Sequence, residues 1–286
     1  MNTPSLINAS FGNHVLRVLL GAGGVAEVYR AEHRDDGQAV AVKVLRPERQ
    51  ADRAHFKAFG DEFQRLQHLA HPSIPTVKRM GEVMGRAAFS MDLVPGDTLA
   101  VTVAKSRSFA AASCLRQLAE VAAYLHGEGL IHNDIKLENA ILRPDGRVIL
   151  IDYGNVRDVS GTNIITRMFT RKPTQIFGTA TYLAPELIEG RRPTLTSDVY
   201  ALGVCAFILL SGSPPFDATR QSGRLRANAV ATPPSIRDRV PQLSAAAAQA
   251  IDHALAKNPD DRPQTAHSFL QALKAMPSPG RTGGAA

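Results

Sequence analysis

The run Ile131-His132-Asn133-Asp134-Ile135-Lys136-Leu137-Glu138-Asn139 sets a carboxylate, a cation and an amide at fixed offsets. A loop of this kind could gather three groups around one point. Asp134 would accept a proton, Lys136 would neutralise phosphate oxygens, and Asn139 would offer an amide oxygen to a metal ion. Further on, Ile149-Leu150-Ile151 runs into Asp152-Tyr153-Gly154. Asp152 is a candidate ligand for Mg²⁺, which favours carboxylates together with substrate phosphates. Taken alone it reads equally as the turn aspartate that ends many strands.

Two upstream segments suit the same chemistry. Leu20-Gly21-Ala22-Gly23-Gly24-Val25-Ala26-Glu27-Val28 is glycine-rich. Without side chains in the way, backbone N–H groups can approach phosphate oxygens closely, although such a stretch is also an ordinary tight hairpin turn. It lacks the closing Gly-Lys-Ser/Thr of a Walker A loop, and a strand follows it where a dinucleotide fingerprint needs a helix. Val40-Ala41-Val42-Lys43 puts a lysine into an apolar strand, where charge is costly unless paired. Either Lys43 sits on an edge strand and reaches solvent, or it has an anionic partner, for which Glu62 is the candidate.

Hydrophobic periodicity outlines the scaffold these residues need. Residues 15–20, 25–31 and 39–45 read as strands, the last two joined by the hairpin signal Asp35-Asp36-Gly37. Phe56, Phe59, Phe63, Leu66 and Leu69 recur every three or four positions and predict a helix closed by His71-Pro72. Strands at 77–83 and 87–93 follow, and Pro95-Gly96 marks a joint. Beyond it, Leu115, Leu118, Val121, Ala122 and Leu125 predict a helix over residues 113–128. Short strands at 140–142 and 148–151 flank the turn Pro144-Asp145-Gly146, and helices dominate after Pro185. The Pro/Gly-rich tail after Met276 is expected to be disordered.

Composition narrows the class. In 286 residues, 44% are hydrophobic and 21% charged, which is a globular balance. Only two cysteines occur, Cys114 and Cys205. That argues against a disulfide framework or thiolate metal site and for reduced thiols in the cytosol. Residues 1–11 lack the basic start and apolar stretch of a secretory signal. The apolar run at residues 200–210 falls far short of the roughly 20 residues a membrane span needs, so a buried helix and a cytoplasmic protein are expected. The net charge of +7 comes without zinc-finger spacing, an RNP sequence or a basic heptad region. It reads as a surface that attracts phosphate-bearing or acidic partners, and no nucleic acid partner is expected.

Glycine-rich loop, Val-Ala-Val-Lys, His-Asn-Asp with a downstream Asn, Asp-Tyr-Gly and Ala184-Pro185-Glu186 follow one another in the order of the protein-kinase signature set. From about Leu16 to Lys274 the chain resembles a bacterial Ser/Thr (Hanks-type) protein kinase catalytic domain. The resemblance implies an α+β, bilobal fold with a β-rich N-lobe carrying one helix and a larger, mainly helical C-lobe. Its boundaries would be an extension at 1–11, the N-lobe at 12–91, a hinge at 92–96, the C-lobe at 97–274 and a tail at 275–286. It implies transfer of the γ-phosphate of ATP to Ser/Thr hydroxyls of protein substrates, with Mg²⁺, or Mn²⁺ as the alternative, and with autophosphorylation. In such a kinase Lys43 holds the α- and β-phosphates and pairs with Glu62. Gly21, Ala22, Gly23 and Gly24 cover the phosphates. Adenine lies between Val28 and Ala41 above and Ile141 below, against backbone groups of Asp92 and Val94, with Met91 limiting the pocket's depth. Asp134 orients and deprotonates the acceptor, Lys136 meets the γ-phosphate, and Asn139 and Asp152 hold the metal. Thr179 would contact Asp134 and Lys136, Glu186 would pair with Arg262, and Asp198 would brace the catalytic loop.

Three departures stand out. Ala26 replaces the third glycine of the loop, and Tyr153 replaces the usual Phe and brings a hydroxyl that needs a partner if buried. Asn133 replaces the Arg that normally binds a phosphorylated activation-segment residue. The switch therefore cannot work through this position, although Thr162, Thr166, Thr170 and Thr174 are candidate phosphosites in a segment that also carries Arg167, Arg171 and Lys172. Two rival readings are a pseudokinase, opposed by the intact Lys43, Glu62, Asp134, Asn139 and Asp152, and a small-molecule phosphotransferase, opposed by Ala184-Pro185-Glu186 and Arg262. The substrate protein, the activating signal and the formation of a homodimer are not legible.

Overall fold

The computed structural model describes residues 5–105, 108–160, 179–216 and 221–273, and the chain divides into two compact units, residues 1–95 and 96–286. In the first unit, strands Ser10–Phe11 (β1), His14–Ala22 (β2), Ala26–His33 (β3) and Ala39–Leu45 (β4) pair in sequence order. Two helices follow, Pro47–Gln50 (α1) and Arg53–His68 (α2). Strands Val77–Val83 (β5) and Arg86–Asp92 (β6) then complete an antiparallel sheet of order β1-β2-β3-β4-β6-β5. β4 has a neighbour on each side and is buried from Val40 onward. Lys43 therefore lies in a central strand, and the edge-strand reading fails.

Helix α2 starts at Asp52, whose side chain accepts from the backbone N–H of Ala54 at 2.9 Å and of His55 at 3.4 Å. Its buried face carries Phe59, Glu62, Phe63 and Leu66, while Phe56, which shares the predicted spacing, is exposed. The rings of Phe59 and Phe63 lie 5.0 and 5.6 Å from that of Phe89 on β6. Packing also reaches upstream of residue 12: Leu6 and Phe11 are buried in one cluster with Leu16, Tyr29 and Val42. Two strand residues and one isolated leucine are too few to show a periodicity.

The second unit opens with Asp97–Thr98 (β7), Leu99–Ala104 (α3), Ala111–Gly127 (α4) and Leu130–Ile131 (β8). The hairpin Ala140–Leu142 (β9) and Val148–Leu150 (β10) follows, then Arg157–Asp158 (β11), which pairs with β8. Among the described residues, the α-helices that follow are Pro185–Ile188 (α5), Leu195–Ser211 (α6), Gln221–Val230 (α7), Ala245–Ala254 (α8) and Ala266–Leu273 (α9). Gly96, at φ 132°, passes so close to Leu142 that a Cβ there would lie 2.1 Å from its carbonyl oxygen. No other residue fits that position.

Helix α6 accounts for the long apolar run. A reciprocal cap between Thr194 and Ser197 starts it, and Gly212 in the left-handed conformation ends it. Residues 196–207 are all buried, so the helix is apolar on every side because protein surrounds it. Among the described residues, no helix is long and apolar enough to cross a membrane. In α4 the predicted stripe Leu115, Leu118, Val121, Ala122 and Leu125 is entirely buried, each leucine contributing about 1.5–3 kcal/mol.

Candidate active site

In the sheet unit, Lys43 Nζ donates to both carboxylate oxygens of Glu62, at 2.6 and 2.9 Å. Both residues are buried, so the pair compensates two charges removed from water. Local packing fixes the geometry. Lys43 is the cross-strand partner of Phe89, and the rings of Phe59 and Phe63, which flank Glu62 on α2, close on Phe89. Val28 pairs with Lys43 across β3 and β4, and Ala41 faces Met91 across β4 and β6. Asp92 ends β6, its N–H donating to the carbonyl of Thr76 at 2.9 Å, and Val94 follows, half-buried.

Gly21 and Ala22 end β2, and Gly23 and Gly24 make the turn, where the N–H of Gly23 donates to the carbonyl of Ala26 at 2.9 Å. Nothing lies within 4 Å of a Cβ built on Gly21 or Gly24, and neither has positive φ. The protein's own packing does not demand glycine at either place. What glycine leaves there is an uncovered backbone, as close approach by a phosphate requires. Arg49 of α1 holds the turn through its Nε, which donates to the carbonyl of Gly24 at 3.2 Å.

In the helical unit, Asp134 is buried and held by four donor contacts from side chains. Lys136 Nζ lies 3.0 Å from Oδ1 and 2.9 Å from Oδ2. The amide nitrogens of Asn139 and Asn155 donate to Oδ2 at 3.2 and 3.3 Å. Asn139 also donates to the backbone carbonyl of Asp134 at 3.0 Å. The loop is anchored from below by α6, because Asp198 accepts the backbone N–H of His132 at 2.7 Å and of Asn133 at 2.8 Å. His126 completes the anchor. Its Nδ1 accepts the backbone N–H of Ala266 at 3.0 Å, so the proton sits on Nε2, 3.1 Å from Asp198 Oδ2.

Two residues here other than glycine occupy the left-handed region, Asn133 at φ 61° and Asp152 at φ 66°. Asparagine and aspartate tolerate that conformation best among residues with a side chain. His132 is fully buried against Tyr153, ring centroids 5.1 Å apart in a T-shaped contact. Burial lowers its pKa and keeps it neutral. The hydroxyl of Tyr153 is buried with no hydrogen-bond partner among the described residues.

The donor set fits Mg²⁺. The N–H groups of Asn139 are turned toward Asp134, which leaves its amide oxygen on the other side. The backbone N–H of Ile151 donates to the carbonyl of Asn139 at 2.7 Å and brings the following Asp152 alongside. One carboxylate and one amide oxygen suffice for a cation that keeps waters and phosphate oxygens as its remaining ligands. Among the described residues no group of three or more His, Cys, Asp or Glu forms a self-sufficient metal cage. Ile141 lies on β9 opposite Ile149 of β10.

Beyond the catalytic loop, Thr179 opens a short 3₁₀ turn, Thr179–Thr181. Thr162, Thr166, Thr170 and Thr174 lie outside the described residues. Glu186 and Arg262 form the expected bridge with two parallel contacts of 2.8 Å, both residues buried. Burial alone would raise the Glu186 pKa. The hydrogen bonds from Arg262 and Ser197 and the Arg262 charge outweigh it and hold the carboxyl below its ordinary range.

This arrangement of one Lys–Glu pair, an Asp with Lys and Asn around it, and a braced Asp-Tyr-Gly turn agrees with the comparisons to known proteins. The protein kinase domain model matches residues 15–273. The chain belongs to the protein kinase family. It is 33% identical over 280 residues to the serine/threonine-protein kinase PknF of Mycobacterium tuberculosis, an alignment covering 94% of this chain and 57% of the relative. It is 33% identical to PknJ of Mycobacterium bovis (96% and 47% covered) and 32% identical to pkn2 of Myxococcus xanthus (91% and 32% covered). The chain thus spans about half or less of the length of these relatives. The α+β protein-kinase fold read from the motifs stands. Asn155, His126 and Asn228 escaped that reading. The first lies one residue past a motif, and the other two sit on helices with no local mark of their contacts.

Proposed function

We propose that this chain transfers the γ-phosphate of ATP to serine or threonine hydroxyls of protein substrates, itself included. The observation that carries the proposal is Asp134, a buried carboxylate with Oδ2 engaged by three side chains and Oδ1, among the described residues, by Lys136 alone. The acceptor hydroxyl donates toward Oδ1, its oxygen bonds to the γ-phosphorus as the bond to the β-bridging oxygen breaks, ADP leaves, and the proton passes to Asp134. Lys136 neutralises charge on the transferred group. Lys43, fixed by Glu62, takes the α- and β-phosphates. Mg²⁺, or Mn²⁺ in its place, would be held by Asn139 and Asp152 and would offset the charge of the β- and γ-phosphates.

The serine/threonine assignment rests on Lys136, two positions after the catalytic Asp, and on the names of the relatives. Free, buried Cys114 and Cys205 suit a reducing compartment, and the relatives, serine/threonine kinases of bacterial organisms, support a role in bacterial signalling as part of this proposal. Phosphoamino-acid analysis after incubation with Mg²⁺-ATP and a basic acceptor protein tests the assignment. Phosphoserine or phosphothreonine is expected, and phosphotyrosine alone, or phosphate transferred only to aminoglycosides, would overturn it.

A further inference from the structure

Asn228 of α7 holds the backbone of the segment before Ala184-Pro185-Glu186. It is buried, and its single amide nitrogen donates to three backbone carbonyls, of Ala180 at 2.8 Å, Thr181 at 3.0 Å and Leu183 at 3.1 Å. An amide has two N–H groups, so one of them is shared between two acceptors. Tyr182, the residue left out, is buried, and its hydroxyl lies near the Leu137 backbone and the Glu138 side chain. Leu137 and Glu138 stand between Lys136 and Asn139. The contacts therefore form one chain from α7, through residues 180–183, to the loop that carries Asp134.

The far end of the chain is braced too. Lys257 Nζ donates to the carbonyls of Ala227 and Asn228 at 3.2 and 2.8 Å and packs 4.4 Å over the ring of Phe216. Thr181 and Asn228 also border a shallow surface depression together with Pro214, Pro215, Phe216 and Arg224. On the phosphotransferase reading, an acceptor polypeptide whose hydroxyl reaches Asp134 passes residues 180–183, and Asn228 holds their backbone.

We infer that Asn228 is a positioning residue for the protein substrate, setting residues 180–183 in the register that receives the chain around the acceptor hydroxyl. The inference rests on the phosphotransferase reading above. The nucleotide makes no use of these contacts, so acceptor and ATP should separate kinetically. With myelin basic protein as acceptor, Asn228→Ala should raise the acceptor KM about five-fold or more and leave the ATP KM within about two-fold. Asn228→Asp should do more, because it sets a carboxylate against three carbonyl oxygens with no donor between them. Tyr182→Phe, a gentler change, cuts the same chain at Glu138 and should show the same split even where the Asn228 variants fail to fold. Unchanged acceptor KM in the folded variants, or acceptor and ATP KM rising in step, would overturn the role of Asn228. A wild-type chain that transfers no phosphate would instead overturn the kinase reading itself.

Discussion

Asn155 donates its side-chain amide to Oδ2 of Asp134 at 3.3 Å. With Lys136 and Asn139 on the same oxygen, the carboxylate is tethered on one side and presents the other. Asn155→Ala should lower kcat by about three- to ten-fold with the ATP KM unchanged, the loss of one hydrogen bond to a charged group. Asn155→Asp keeps the shape and reverses the electrostatics, so it should cost more than about 30-fold. Steady-state kinetics decide it, and an Asp variant as active as the wild type would show that the contact carries no catalytic weight.

Lys43 and Glu62 are buried together, and each offsets the desolvation of the other. Glu62→Gln should reduce kcat/KM for ATP by about 100-fold while the chain stays folded, since the lysine loses the charge that orients it. Nucleotide titration beside thermal melting separates the two effects. Full activity in this variant would mean that Lys43 finds its position without Glu62.

The Glu186–Arg262 bridge predicts the response to acid. A carboxyl whose pKa is lower folded than unfolded stabilises the fold above the unfolded value, 4.5, and loses that contribution as pH falls through the folded value. The bridge is therefore intact at neutrality and fails on acidification below about 4.5. Glu186→Gln should cost about 3–5 kcal/mol at pH 7, because Arg262 stays buried without its charge partner. It should also flatten the decline in stability as pH falls below 4.5, as denaturant titrations at successively lower pH would show.

Tyr153 carries a buried hydroxyl with no hydrogen-bond partner among the described residues. Tyr153→Phe removes that group and keeps the ring against His132. A gain of about 1 kcal/mol, roughly 2–4 °C in Tm, is expected, with turnover unchanged. A drop in Tm would show that the hydroxyl is satisfied in solution.

Asn133 stabilises the loop through its backbone N–H to Asp198 and brings no guanidinium for a phosphate. Replacing Thr162, Thr166, Thr170 and Thr174 together by Ala should leave turnover within about three-fold of the wild type. A near-total loss would restore activation by phosphorylation.

Lys43, Asp134, Asn139 and Asp152, where the proposed chemistry dictates residue type, are legible in the sequence as motif residues. The strands at 39–45 and 77–83 and the buried stripe of α4 are likewise legible there. Lys43 stayed ambiguous because strand order, which makes β4 central, is a long-range property. Phe56 shares the α2 spacing yet faces solvent, since the sheet covers only the arc from Phe59 to Leu66. Asn155, His126 and Asn228 act through partners 21, 72 and 48 positions away, and no local pattern marks such contacts.

Asp134 and its neighbours are proposed to carry out phosphoryl transfer. The direct measurement is incorporation of label from γ-labelled ATP into an acceptor protein with Mg²⁺, beside Asp134→Asn. Label on serine or threonine is expected in the wild type, with a loss of about 1,000-fold in the variant, which keeps its ATP affinity. Equal labelling by both proteins, or bound ATP without any transfer by the wild type, would contradict the proposal.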